Sequence, residues 1–357
     1  MGKLKNFVVV ITGASSGIGK ATALAFARKG ARVVVAARRK EPLEAAAQEC
    51  RRAGAADALA VPTDMTDPEA VERLAATAVD RFGGIDIWVN NAAVTVFAPF
   101  ADLPLEDFRR VLDTNLYGYV HGAWAALPRF RAQGRGVLIN NASMVATLAE
   151  PYVAPYVVAK HGIRGLGMTL RQELALERAH GIHVCTVMPA MIDTPLLAHA
   201  GNYTGRRLKA LPPVYPAEQV ARTIVRLAWS PRREVYVGNS ARMLAGQYRT
   251  APGLTEWLMG RMVDRQHLDR HRPAAPTPGN VHAPIPKGRQ WTVVGAVGAS
   301  ARSVGPPRSQ RQQPSWLWQA GAPGQARQAS EGDRNRRRTT EQVASKKEVY
   351  RCRSYGW

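Results

Sequence analysis

Phe7-Val8-Val9-Val10-Ile11-Thr12-Gly13-Ala14-Ser15-Ser16-Gly17-Ile18-Gly19 is a β-branched run that bends through three glycines into an alanine-rich stretch of helical composition. Glycine at such a bend permits positive φ and close backbone approach. A helix starting directly behind it presents unpaired N–H groups and the positive end of its dipole. A glycine triplet by itself also describes an ordinary tight turn. Placed after the first strand of an alternating chain, it reads as a cradle for the pyrophosphate of a dinucleotide.

The alternation continues to about residue 240. Strand-like runs at 7–11, 32–37, 57–61, 86–90, 136–141, 182–188 and 234–238 are separated by amphipathic stretches at 17–29, 41–53, 68–81, 105–132, 155–179 and 216–229. Short apolar runs alternating with helices predict an α/β, doubly wound Rossmann fold: a seven-stranded parallel sheet with helices on both faces, plus a C-terminal extension. Asp67-Pro68 reads as an N-cap and first helical residue, and Pro155 and Pro216 suit that first position too. Residues 190–214, broken by Pro195, Pro212 and Pro213, are expected to form a long mobile loop beside the site. One catalytic and dinucleotide-binding domain over 1–240 is thus followed by a short helical extension over 241–271. Five prolines mark 272–288 as a linker or extended wrap, and 289–357 reads as a basic, disordered tail with isolated Trp291, Trp316 and Trp318.

Composition sets outer bounds. With 357 residues, 46% hydrophobic and 21% charged, the chain is globular rather than fibrous. Met1 to Asn6 runs straight into a strand without a secretory core, and Cys50, Cys185 and Cys352 are scattered, which suits free thiols in the cytoplasm. The net charge of +22 invites a nucleic-acid or anionic-membrane reading. Nearly half of it sits in residues 289–357, with 13 basic and four acidic residues, so such partners are not the expectation. No His or Cys cluster has metal-ligand spacing, and no metal is expected.

Gly13, Gly17 and Gly19 have the TGxxxGxG spacing, Asn90-Asn91-Ala92-Ala93 follows the fourth strand, and Tyr156-Val157-Val158-Ala159-Lys160 supplies YxxxK. On these motifs, in this order over residues 5–240, the sequence resembles the short-chain dehydrogenase/reductase family, nearest to a bacterial subgroup with an extended C-terminus. Tyr156 and Lys160, four apart on a helix, share a face. The resemblance implies Tyr156 as the acid–base and Lys160 as the residue that lowers its pKa and binds the nicotinamide ribose. It also implies Ser143 as the hydroxyl holding the substrate oxygen and Asn115 as the holder of a relay water. Each alone has a plain alternative: a packed tyrosine, a capping serine, a solvated lysine.

Carried over in the same way, the cofactor residues are Gly13, Ser15, Ser16, Gly17, Ile18, Gly19, Asp64, Asn90, Ala92, Tyr156, Lys160, Pro189, Ile192 and Thr194. Arg38 ends the second strand where an NAD enzyme has a carboxylate, which favours NADP(H) over NAD(H), although a solvated surface arginine is the alternative. Ala93 and Ala190 replace family glycines and would be strained at positive φ. Val94, Val96, Phe97, Phe100, Met144, Met191 and Leu196 suggest an apolar pocket for a ketone or aldehyde and its alcohol. Helices 105–132 and 155–179 resemble those of family interfaces, implying a homodimer or homotetramer. The rival reading is an idle Rossmann domain binding nucleic acid or anionic membrane through its tail.

Overall fold

A computed structural model describes residues 4–285. The tail over 289–357 lies outside the described residues. The strands are β1 (Val8–Thr12), β2 (Arg32–Ala37), β3 (Asp57–Pro62), β4 (Ile87–Asn90), β5 (Gly136–Asn141), β6 (Ile182–Pro189) and β7 (Glu234–Val237). They form one seven-stranded sheet in the order β7-β6-β5-β4-β1-β2-β3, and every pairing is parallel. The helices between them are α1 (Gly17–Ala27), α2 (Lys40–Arg52), α3 (Pro68–Phe82), α4 (Leu105–Leu112), α5 (Gly118–Gln133), α6 (Ala154–Leu176) and α7 (Ala217–Leu227). Asp67 caps α3, accepting from the backbone N–H of Glu69 and Ala70 with Pro68 behind it.

Side chains of successive strand residues point to opposite faces, so a β-branched run buried on both sides needs two layers of helix. Val9, Ile11, Val33, Val35, Ile139 and Val187 pack beneath Phe26, Leu43 and Ile224 of α1, α2 and α7. Their neighbours Val10, Val34, Trp88 and Leu138 face Val71, Leu74, Ala126 and Phe130 of α3 and α5. The stretch read as one helix over 105–132 is α4 and α5 joined by a π turn, Asp113–Tyr117, which contains Asn115.

Residues 190–214 do not form the free loop expected of them. Ile192–Asp193 pairs with Tyr215–Pro216, Gly201–Asn202 with Val96–Phe97, and Arg206–Leu208 with the strand Leu268–Pro273. Backbone partners from distant segments satisfy N–H and C=O groups that no local pattern could pair. Beyond β7, α8 (Asn239–Thr250) and α9 (Pro252–Met262) are followed by a π turn, Val263–His267. Of the proline-rich stretch, the described part lies extended against the domain. Thr277 bridges to Asn202, and fully buried Val281 packs with Val94, Val96 and Val111.

Candidate active site

Six of the parallel strands end their carboxyl edges on one cavity, β3 through Thr63 to Met65. It is walled by Gly13 to Ile18 after β1, Arg38 and Arg39 after β2, Asn91 to Thr95 after β4, Asn141 to Val145 after β5, and Pro189 to Ile192 after β6. Crevices at this edge of an open α/β sheet receive ligands because the helix N-termini converge there. At its floor Gly13 has φ +64°, and a Cβ on it would lie 2.7 Å from the Ala92 Cα. A Cβ on Gly19 would lie 2.3 Å from the Gly13 carbonyl oxygen. Gly19 therefore lets the turn close without itself lining the cavity. Ser16 stands at the N-cap of α1 with no side-chain hydrogen bond to the helix, which leaves the first N–H groups open to an anion. This glycine-walled cradle and uncapped terminus fit a dinucleotide pyrophosphate.

Tyr156 and Lys160 project from the first turns of α6 into the same cavity, and Ser143 meets them from the end of β5. Lys160 is buried; its Nζ donates to the Asn141 carbonyl at 2.9 Å, approaches Tyr119 Oη at 3.4 Å, and lies 5.3 Å from the Tyr156 ring centroid. Burial pushes the Lys160 ammonium down to about 7. The Tyr156 phenol is driven well above its ordinary value by burial and by the nearby Glu150 carboxylate, while the hydrogen bond with Ser143 acts the other way. Burial thus favours the neutral form of the phenol in this site.

Several expected residues sit elsewhere or do something else. Asn115 is fully buried, and its side chain is spent on the Val94 backbone, accepting from its N–H at 2.9 Å and donating to its C=O at 2.8 Å. The amide thus ties the strand-four loop to the π turn. Asn90 is likewise buried behind the wall, accepting from Trp88 Nε1 and donating to the Tyr119 carbonyl and Asn140 Oδ1. Its neighbour Asn91 lines the cavity instead and donates to the carbonyls of Thr12 and Gly13. Ser15, Ala92, Ile192 and Thr194 line the cavity as well. Val96 is buried outside it, and Phe100 is 73% exposed, so neither belongs to the pocket. Neither Ala93 nor Ala190 has positive φ, which removes the strain expected there.

The adenosine end is more crowded than its sequence suggests. Arg38 donates to the carbonyls of Asn280 at 2.9 Å and His282 at 3.2 Å, and Arg39 donates to that of Ile285. His282 Nε2 and the Tyr203 hydroxyl both meet the Asp107 carboxylate, which pins this strap. Asp64 loses solvation, but hydrogen bonds from Thr66 and the guanidinium of Arg110 at 3.0 Å outweigh that and hold its carboxyl below the usual range. At the opposite end, Glu150 and His267 share the wall with Met144, Val153 and Leu197. Sequence reading missed both. Glu150 sits six residues before Tyr156 but looks like surface charge, and His267 comes from 111 residues further along the chain. Tyr152 between them has φ +69°, which turns the chain sharply ahead of α6 and lets Glu150 face the cavity that holds Tyr156.

Among the described residues no group of three or more His, Cys, Asp or Glu could hold a metal, and no helix is long and apolar enough to cross a membrane. Residues 7–203 match the short chain dehydrogenase family. An uncharacterised oxidoreductase of Bacillus subtilis, YxnA, is 40% identical over 75% of this chain and 76% of its own length. A 1-deoxy-11-beta-hydroxypentalenate dehydrogenase of Streptomyces exfoliatus is 41% identical over 54% of this chain and 70% of its own. For a D-beta-hydroxybutyrate dehydrogenase of Rhizobium meliloti the figures are 36%, 53% and 72%.

Proposed function

The chain belongs to the short chain dehydrogenase family of oxidoreductases, which bind NAD(P)(H) and act on small alcohols and ketones, and from that premise we propose that it interconverts an apolar ketone or aldehyde and its alcohol with Tyr156 as the proton-transfer group. The observation that carries this reading is the convergence of Ser143, Tyr156 and Lys160 on the cavity that begins at the open N-terminus of α1. The nicotinamide, when bound, supplies or accepts the hydride. The chain's own residues do the rest. Gly13 to Ile18 hold the pyrophosphate, and Lys160, desolvated and anchored on the Asn141 carbonyl, is placed to bind ribose hydroxyls. Ser143 and Tyr156 hold the reacting oxygen between two hydroxyls, and the neutral phenol gives up its proton as that oxygen gains charge. Val94, Phe97, Met144, Met191 and Leu196 exclude water from this end.

NADP(H) is the preferred form in this proposal, because Arg38 directly follows β2 and brings a cation to the cavity. A 2′-phosphate, carrying charge, outcompetes the two neutral carbonyls that Arg38 now holds. We further propose a homodimer through α5 and α6, whose outer faces expose Trp124 and Leu176. Tyr156→Phe is expected to abolish turnover while leaving NADPH affinity, measured by fluorescence titration, within a few-fold. Lys160→Met should damage both. Near wild-type kcat in Tyr156→Phe would sink the mechanism.

A further inference from the structure

His267 is 99% buried, and its Nδ1 meets the carbonyl oxygen of Lys209. A carbonyl only accepts, so Nδ1 carries the proton. Burial holds the imidazole below its ordinary pKa, so it is neutral and Nε2 is a bare acceptor. That acceptor faces Glu150 Oε1 at 3.5 Å. The Glu150 side chain is nine-tenths buried, and Oε1 has no hydrogen-bond partner among the described residues. Above about pH 7, where the Glu150 carboxyl has lost its proton, two acceptors therefore confront each other in this wall with no donor between them. Buried polar groups left in this state are costly, and in a cavity wall a water or a ligand group that donates a hydrogen bond relieves that cost.

We propose that Glu150 and His267 form a substrate-recognition site for a hydroxyl or amine carried near the reacting carbon, and that the Glu150 carboxylate excludes carboxylate-bearing substrates. The site rests on the proposed alcohol–ketone chemistry and names its substrate class: neutral or cationic hydroxy or amino carbinols. Glu150 and Tyr156 line the same cavity, which puts the second donor in the chamber that holds the reacting carbon. This class differs from the hydroxy acids in the names of two of the relatives. A site built to satisfy a donor rejects the analogue that lacks it, because its own acceptors then stay unpaired.

A matched series tests this: 1-phenylethanol, 1-phenylethane-1,2-diol and mandelate, which share a ring and a carbinol and differ only in the neighbouring group. Dissociation constants are measured with NADPH present on Tyr156→Phe protein, where nothing turns over, and again after adding Glu150→Gln. The diol should bind about tenfold to a hundredfold more tightly than the monol, with mandelate weakest. Glu150→Gln should reduce both gaps to within about threefold. Equal binding of diol and monol, mandelate binding best, or a preference that survives Glu150→Gln would each overturn the proposal. If the double variant does not fold, the order of the three ligands on Tyr156→Phe decides alone. Failure of the catalytic reading looks different: no turnover of any corresponding ketone by the wild type, with the binding order intact.

Discussion

Glu150 and Lys160 are both costly to the fold, in opposite pH windows. Burial pushes the Glu150 carboxyl up to about 7, from the usual 4.5. Between those values the native state keeps a proton that the unfolded chain releases, so stability falls as pH rises through the window, and the whole penalty remains above 7. Glu150→Gln should therefore be more stable than wild type by about 2–3 kcal/mol at pH 8, with the difference closing toward pH 4.5. Paired urea melts at the two pH values check this, and a constant difference would place the carboxylate in a wetter setting. The ammonium of Lys160, lowered to about 7 from 10.5, runs the other way. There the unfolded chain holds the extra proton, and stability is lost as pH falls from about 10 to 7. An isolated buried charge has no structural reason to persist, whereas two such groups on one cavity wall are what a reactive site requires.

Elements made of consecutive residues were readable from the chain itself, because strand runs, glycine turns and the Asp67-Pro68 start are local. Strands β2 and β5 span the residues that the β-branched runs marked. Contacts that join distant segments were not readable. The π turn at Asn115 has ordinary helical sequence, and nothing near Arg38 announces that residues 280 and 282 will bring it their carbonyls. This strap gives the cofactor prediction its form. Arg38→Asp should lower the ratio of NADPH to NADH affinity by about tenfold to a hundredfold, since it replaces an attractive charge with a repulsive one. Asp107→Asn weakens the anchor of His282 and Tyr203 without touching the strand end. It should change both affinities alike and leave their ratio within about twofold. If Arg38→Asp also leaves the ratio unchanged, Arg38 serves only to hold the strap.

At the scale of the whole molecule, one of the sets of large apolar side chains exposed among the described residues runs along α5 and α6. Tyr117 and Trp124, seven residues apart, lie on one helical face, as do Val158 and Leu176, eighteen apart. The two helices are neighbours: Arg131 of α5 forms a bidentate ion pair with Glu177 at the end of α6, and Trp124 shares a shallow groove with Leu170. Trp124 and Leu176 are 73% and 85% exposed, and large apolar side chains arranged in this way mark interaction surfaces. A two-fold axis over this face would set α5 and α6 against their copies, burying the tryptophan at the centre, where such residues contribute most to association. The helix that carries Tyr156 and Lys160 near its start would then be braced along its outer side. Trp124→Glu should convert the proposed dimer to a monomer in sedimentation velocity at micromolar concentration, because a carboxylate at the centre of the face would be buried without a partner. An unchanged sedimentation coefficient in that variant would move the interface to another surface, and a monomeric wild type would leave α5 and α6 facing solvent.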